Sequence, residues 1–284
     1  MKWMKKYQAH SWSIQDDLMN RTIKMMEIMM LGMLEKISTE YLETGSYTKP
    51  SDQQMYLVME RFYSQVVHKA YGVSQVVKQV QGFKPQSDKK KLGKLPLGIP
   101  NRLPPLVKFF SSKRMWPTMQ RRGRIIVGKL QKAYFKKLDR KFAEIGPALQ
   151  RGEISPEEVK KELREAWKAT KSRVETIFQT ETTNYFNKVQ VSFFNDDEDI
   201  IGFLFQSNRD SSTTDICRKR DGLIYRPGTQ LLKENTPACH WRCRSELIPL
   251  ANTPQNLKMF KDTNRDPNKR RVPPLPPGWV AGRK

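Results

Sequence analysis

The sequence predicts an α+β protein: a mostly helical, elongated N-terminal part followed by a small C-terminal β-containing module. Three observations carry this expectation. Apolar residues recur at three- and four-residue steps through much of the first 195 positions, the period of an amphipathic helix. From "DDEDIIGFLFQSNRD" onward the period falls toward two, the spacing of a strand. Only 37% of the 284 residues are hydrophobic, which is thin for one compact core of this length.

Residues 14–44 read as one long helix, because Ile14, Leu18, Ile23, Met26, Met30, Leu34, Ile37 and Tyr41 share a face. Six of the 13 methionines (Met19, Met25, Met26, Met29, Met30 and Met33) sit on this stretch. They serve either as core filling or as an adaptable docking stripe. A second helix opens at Ser51, where "SDQQ" has the form of a capping box, and runs through Met55, Met59, Phe62 and Val66 toward Gln81. Five prolines and three glycines in "GFKPQSDKKKLGKLPLGIPNRLPPL" then break any helix. Helix resumes near Trp116–Pro117. Ser155, Pro156, Glu157 and Glu158 give the next helix an N-cap, a first-turn proline and acids at the positive end of its dipole. A further helix carries "VETIFQTETTNYFNKVQVSFFN" to about Asn195. Beyond it, Ile200–Gln206, Leu223–Tyr225 and Ser245–Pro249 are candidate strands, and Asp221–Gly222 is a turn or hairpin signal.

These readings divide the chain into an N-terminal helical region (1–82), a Pro/Gly-rich basic linker or arm (83–112) and a basic helical region (113–195). A small β-containing module (196–252) and a basic Pro-rich tail (253–284), expected to be extended or disordered, complete it. No fixed-period repeat is visible.

The formal net charge is +23, which points to polyanions or a strongly acidic partner surface. Between Lys84 and Lys141, 18 lysines and arginines face only Asp88 and Asp139, a local charge of +16. Lys113, Arg114, Arg121, Arg122, Arg124, Lys129, Lys132, Lys136 and Lys137 are the candidate contacts to DNA or to an acidic protein. Trp116, Tyr134 and Phe135 lie among them, and arginines beside aromatics offer stacking on bases. The bland alternative is a solvated basic face. No run of about 18 uncharged apolar residues occurs, so no membrane partner is expected. The basic N-terminal stretch lacks the apolar core of a signal peptide, so the protein is expected to begin in a cytoplasm. No Gly-x-x-x-x-Gly-Lys phosphate loop is present, which argues against a packaging ATPase.

Two of three cysteines and one of three histidines fall within "ACHWRC". Zinc asks for four N/S ligands at tetrahedral corners, usually as two close pairs. His240 and Cys243 make one such pair. Cys217 lacks a near partner, since Arg220 follows it at the usual spacing. Cys239 would be the fourth ligand, but neighbouring residues diverge on an extended chain. The competing reading has Cys217 and Cys243 as small buried residues, with His240 bonded to a backbone carbonyl. No cofactor is required by the sequence; structural zinc is the one candidate.

Taken in order, "QTETTNYFN", "RDSSTTDICRKRDG" and "PACHWRCRSELIPL" resemble the C-terminal module of the phage head morphogenesis (minor capsid) family typified by the F protein of phage Mu. The resemblance spans about 172–250 and rests on Thr180, Glu181, Asn187, Asp210, Thr213, Cys217, Gly222, Pro237, His240, Cys243, Arg244, Ser245, Leu247 and Pro249. Gln179 stands where the family often has arginine, and Arg220 where many members have a second cysteine.

The resemblance implies a virion protein in the capsid interior or at the portal vertex, present in the host cytoplasm during assembly. Its partners would be portal protein, major capsid or scaffold protein, and double-stranded DNA bound non-specifically. Thr180, Glu181, Asn187, Asp210, Cys217, Asp221, Gly222, His240, Cys243 and Arg244 are read as structural, with Glu181 and Arg244 joining helix to β unit. No catalytic residue is expected. The alternative is a metal-dependent nuclease or a zinc-stabilised DNA-binding protein.

Overall fold

The structure, a computed structural model, describes residues 2–51, 53–81, 115–277 and 279. The 83–112 linker, with Lys113 and Arg114, lies outside the described residues. Among the described residues the chain forms α1 (Lys2–Thr44), α2 (Gln53–Val80), α3 (Met115–Gln150), α4 (Pro156–Phe194), β1 (Ile200–Gln206) and α5 (Asp215–Arg220). These are followed by β2 (Ile224–Tyr225), α6 (Gln230–Asn235), β3 (Glu246–Ala251), α7 (Pro254–Lys261) and a 3-10 turn at Thr263–Arg265. The fold is α+β. No described helix is long and apolar enough to cross a membrane.

Helix boundaries follow local chemistry where the sequence supplies it. Gly152 leaves α3 with φ 71°, and its amide reaches back to the Leu149 carbonyl at 3.0 Å, a glycine-terminated helix end. Three residues on, Ser155 and Glu158 form a reciprocal capping box. The Ser155 amide donates to Glu158 Oε2 at 2.7 Å, and the Glu158 amide donates to Ser155 Oγ at 3.3 Å. The two helices expected between Ser155 and Asn195 are one continuous α4, because no glycine or proline interrupts them.

The chain divides into two units, each built from distant segments. One contains Met19–Tyr63 and Pro117–Phe178. Its core takes Met26, Met30, Met33 and Ile37 from α1, Met59, Phe62 and Tyr63 from α2, Val127, Leu130 and Leu138 from α3, and Leu163, Trp167 and Phe178 from α4. Phe62 meets Phe178 edge-on at 4.9 Å between ring centroids, and Tyr134 meets Trp167 at 6.1 Å. Burying one such side chain contributes about 1.5–3 kcal/mol. Met26, Met30 and Met33 are therefore core filling rather than an open docking stripe.

The other unit contains Met1–Leu18, Ser64–Trp116 and Gln179–Lys284. Helix α1 begins at Lys2 rather than Ile14 because Met4, Tyr7 and Ser11 are buried in this unit. Tyr7 OH accepts from Gln190 Nε2, and Ser11 Oγ donates to the carboxylate of Glu246 on β3. The three strands form an antiparallel sheet in the order β2-β1-β3. In β1, Gly202 lets the neighbours close in: a Cβ there would lie 2.7 Å from Ile224 Cγ2 and 3.2 Å from Phe260 Cε2.

Strand β3 lies at an edge, whose outward backbone groups need partners. Two side-chain amides from helical segments supply them. Asn187 Oδ1 accepts the Leu247 amide at 2.7 Å, and its Nδ2 donates to the Ser245 carbonyl at 3.2 Å. Gln81 repeats the pattern further along: Oε1 accepts the Ala251 amide, and Nε2 donates to the Pro249 carbonyl, both at 2.8 Å. The edge is closed without a fourth strand.

Several expected loops are ordered differently. Asp221–Gly222 does not join two strands; it turns α5 into β2, with Gly222 at φ 81° and its amide on the Phe205 carbonyl at 2.8 Å. Short helices α5, α6 and α7 occupy stretches too brief for periodicity to reveal. The extended tail lies against the module: Arg220 donates to the Pro273 carbonyl at 2.9 Å, and Trp279 Nε1 donates to the Ala238 carbonyl at 2.9 Å.

Candidate functional site: a cysteine and histidine clasp

Cys217 enters the site from α5, the short helix that follows β1. Cys239, His240 and Cys243 enter from the bend between α6 and β3. The chain is not extended at these residues. It bends at His240 and turns through Trp241–Arg242, with Arg242 in the left-handed region at φ 58° and the Cys243 amide on the His240 carbonyl at 3.3 Å. That turn removes the premise that Cys239 and His240 must diverge.

The turn is gripped by α4. Thr180 Oγ1 accepts the Arg242 amide at 3.0 Å, and Thr183 Oγ1 donates to the Cys243 carbonyl at 2.7 Å. Thr180 to Asn187 are all buried, so this polar run is surrounded on every side of the helix. Thr180, Thr183 and Asn187 are tolerated there because they bond the backbone of the turn and of β3.

Cys217 Sγ lies 3.1 Å from His240 Nε2 and 3.7 Å from Cys243 Sγ. These three ligand atoms lie within 4.8 Å of one another. His240 Nδ1 faces the Trp241 carbonyl at 2.7 Å, which leaves Nε2 for the sulfurs. Cys239 is fully buried, and hydrogen bonds with Cys217 and Cys243, together with burial, push its thiol well above the usual value. Burial opposes charge on His240 and Cys243 alike. Hydrogen bonds with Cys217 and with each other nevertheless raise His240 to about 10 and hold Cys243 well below the ordinary thiol range. The three cysteines are buried and the histidine is bonded to a carbonyl, yet Cys217, His240 and Cys243 converge on one point.

Arg220, three residues after Cys217, is not part of this cluster. It is buried and donates to Asn235 Oδ1 at 2.8 Å and to the Ile216 carbonyl at 2.9 Å, as well as to Pro273. Arg244 pairs with Asp210 at 2.7 Å, and Glu181 is buried on α4. Asp221 Oδ1 accepts the Ser207 amide at 2.8 Å, and its Oδ2 pairs with Arg209 at 2.5 Å. Beside it a cleft of about 530 Å³ is lined by Arg209, Arg218, Arg265 and Arg270 together with Asp210, Asp221 and Asp262. No sequence pattern marks that cleft, since its residues come from separate segments. The edge role of Gln81 is equally hidden.

On α3, Arg121, Arg124, Lys129, Lys132, Lys136 and Lys137 are exposed and Arg122 is half-buried. Arg124 lies over the Tyr56 ring at 5.0 Å, and Lys137 donates to the Ala169 carbonyl at 3.2 Å. Trp116, Tyr134 and Phe135 do not share this face. All three are buried, because they sit on the apolar stripe with Val127, Leu130 and Leu138. These three rings are therefore not available for stacking on bases, and what α3 offers a polyanion is its exposed cations.

The arrangement defines a small helix-and-sheet module whose motif residues mainly close the fold. Residues 143–248 match the family model described as phage Mu protein F like protein. The match begins earlier than the motifs and takes in all of α4. No curated protein and no solved structure matches the chain.

Proposed function

We propose that this protein is a minor capsid, or head morphogenesis, protein of a tailed bacteriophage. In this reading it acts in procapsid assembly, docks on the portal or inner capsid, and contacts packaged double-stranded DNA without reading its sequence. The observation that carries the proposal is the match of residues 143–248 to the phage Mu protein F like family, over motifs that meet in one clasp. Proteins of this family are typically structural, so no turnover is assigned. The exposed cations on α3 support the DNA contact, because neutralising phosphates releases counterions and adds affinity at any sequence.

The test is binding of labelled duplex DNA across a salt series, with co-purification of a co-expressed portal protein from the same phage. Affinity should fall steeply with salt. The triple variant Lys129→Glu, Lys132→Glu, Lys136→Glu should flatten the log–log slope by about 0.9 for each phosphate it no longer neutralises. Association with neither DNA nor portal at low salt would sink the proposal. Mg²⁺-dependent cleavage of DNA that disappears in His240→Ala would replace it with the nuclease reading.

A further inference from the structure

We propose that Cys217, Cys239, His240 and Cys243 bind one zinc ion as a closed structural site, so that the C-terminal module is a metal-clasped fold. The support is geometric and independent of the phage reading. Zinc held tetrahedrally by thiolates at about 2.3 Å places two sulfurs about 3.8 Å apart; Cys217 and Cys243 lie at 3.7 Å. The corresponding sulfur–nitrogen edge is about 3.5 Å, and Cys217 Sγ to His240 Nε2 is 3.1 Å, a few tenths of an ångström from the required span.

The second layer is also in place. A zinc-bound histidine almost always donates its other ring N–H to a carbonyl or carboxylate, which fixes the ligating nitrogen. His240 Nδ1 has the Trp241 carbonyl at 2.7 Å, so Nε2 faces the thiols. The left-handed Arg242 closes the His-x-x-Cys turn, and Thr180 and Thr183 anchor it to α4. The ligand atoms of Cys217, His240 and Cys243 lie within 4.8 Å of one another, and Cys239, fully buried beside His240 on the same bend, is the fourth ligand this proposal assigns.

Thiolates and imidazole favour zinc over the hard cations, which take oxygen ligands. The three cysteines are 2%, 0% and 0% exposed, so the sulfur side of the site is closed to water and substrate. The ion is therefore structural rather than catalytic. On binding, the thiol protons are released to solvent and the sulfurs become thiolate ligands.

The test uses the full chain purified without added chelator. Elemental analysis should give one zinc per chain, and cobalt exchanged into the site should show thiolate-to-metal charge transfer for three sulfurs with tetrahedral d–d bands. Removing zinc with a strong chelator should lower the unfolding temperature, and zinc, but not magnesium, should restore it. His240→Cys should keep the metal, whereas Cys239→Ser should weaken zinc at least about tenfold in chelator competition. Zinc-free protein overturns the proposal, as does a single free thiol per chain, which would mark a Cys217–Cys243 disulfide. Undiminished zinc affinity with an unchanged cobalt spectrum in Cys239→Ser overturns the four-ligand set. Should a variant fail to fold, the cobalt spectrum of the unmodified chain still counts the sulfurs.

Discussion

Replacing Asn187 with alanine tests how the module keeps its edge strand. The side chain makes three buried hydrogen bonds: it accepts from the Leu247 amide at 2.7 Å, and it donates to the Ser245 carbonyl at 3.2 Å and the Thr183 carbonyl at 2.8 Å. Each contributes a net of about 0.5–1.5 kcal/mol, and a buried group left unpaired costs about 1–3 kcal/mol. Thr183 already bonds within its helix, so the loss falls on the Leu247 amide and the Ser245 carbonyl. Because Asn187 is fully buried, water does not easily take its place. The expected loss is about 2–4 kcal/mol, or roughly 4–10 °C in unfolding temperature for a chain of this size. Urea unfolding followed by circular dichroism measures the energy, and hydrogen exchange at Leu247 locates it. The exposed Asn268→Ala serves as control. A loss below about 0.5 kcal/mol, or Leu247 protection unchanged, would refute the edge-capping role.

Other substitutions probe separate links. Gly202→Ala should cost about 1–3 kcal/mol in urea unfolding, because the new methyl meets Ile224 at 2.7 Å. Adding Ile224→Ala should make the pair less damaging than the sum of its parts. At Arg242, whose φ is 58°, Arg242→Val should be at least about 1 kcal/mol less stable than Arg242→Gly, since both lose the side chain but only valine is strained there. Burial pushes the Glu246 carboxyl up from 4.5 to about 8, although hydrogen bonds from Ser11 and Tyr7 pull the other way. Between those values the unfolded chain has released a proton that the folded chain retains. Stability should therefore fall as pH rises through this window, by up to about 1.4 kcal/mol per unit. Comparing Glu246→Gln with the unmodified protein at two pH values inside the window should show the slope vanish; a retained slope would assign it to another group.

The sequence by itself determined the period-bearing elements. Ile200–Gln206 reads as a strand and forms one, and the Met26, Met30, Leu34, Ile37 face marks a long helix, because 2.0 and 3.6 residue repeats are properties of the local chain. The capping pair Ser155 and Glu158 is local in the same way. So is the clustering of His240 with Cys243, which two intervening residues guarantee. Only the tertiary structure decided which groups complete them. Cys217 reaches the clasp from 23 residues before His240, Gln81 reaches β3 from 170 positions before Ala251, and Arg244 pairs with Asp210, 34 positions before it. Such partners are selected by what each group must satisfy once water is excluded, and burial is a property of the assembled chain rather than of any window of it.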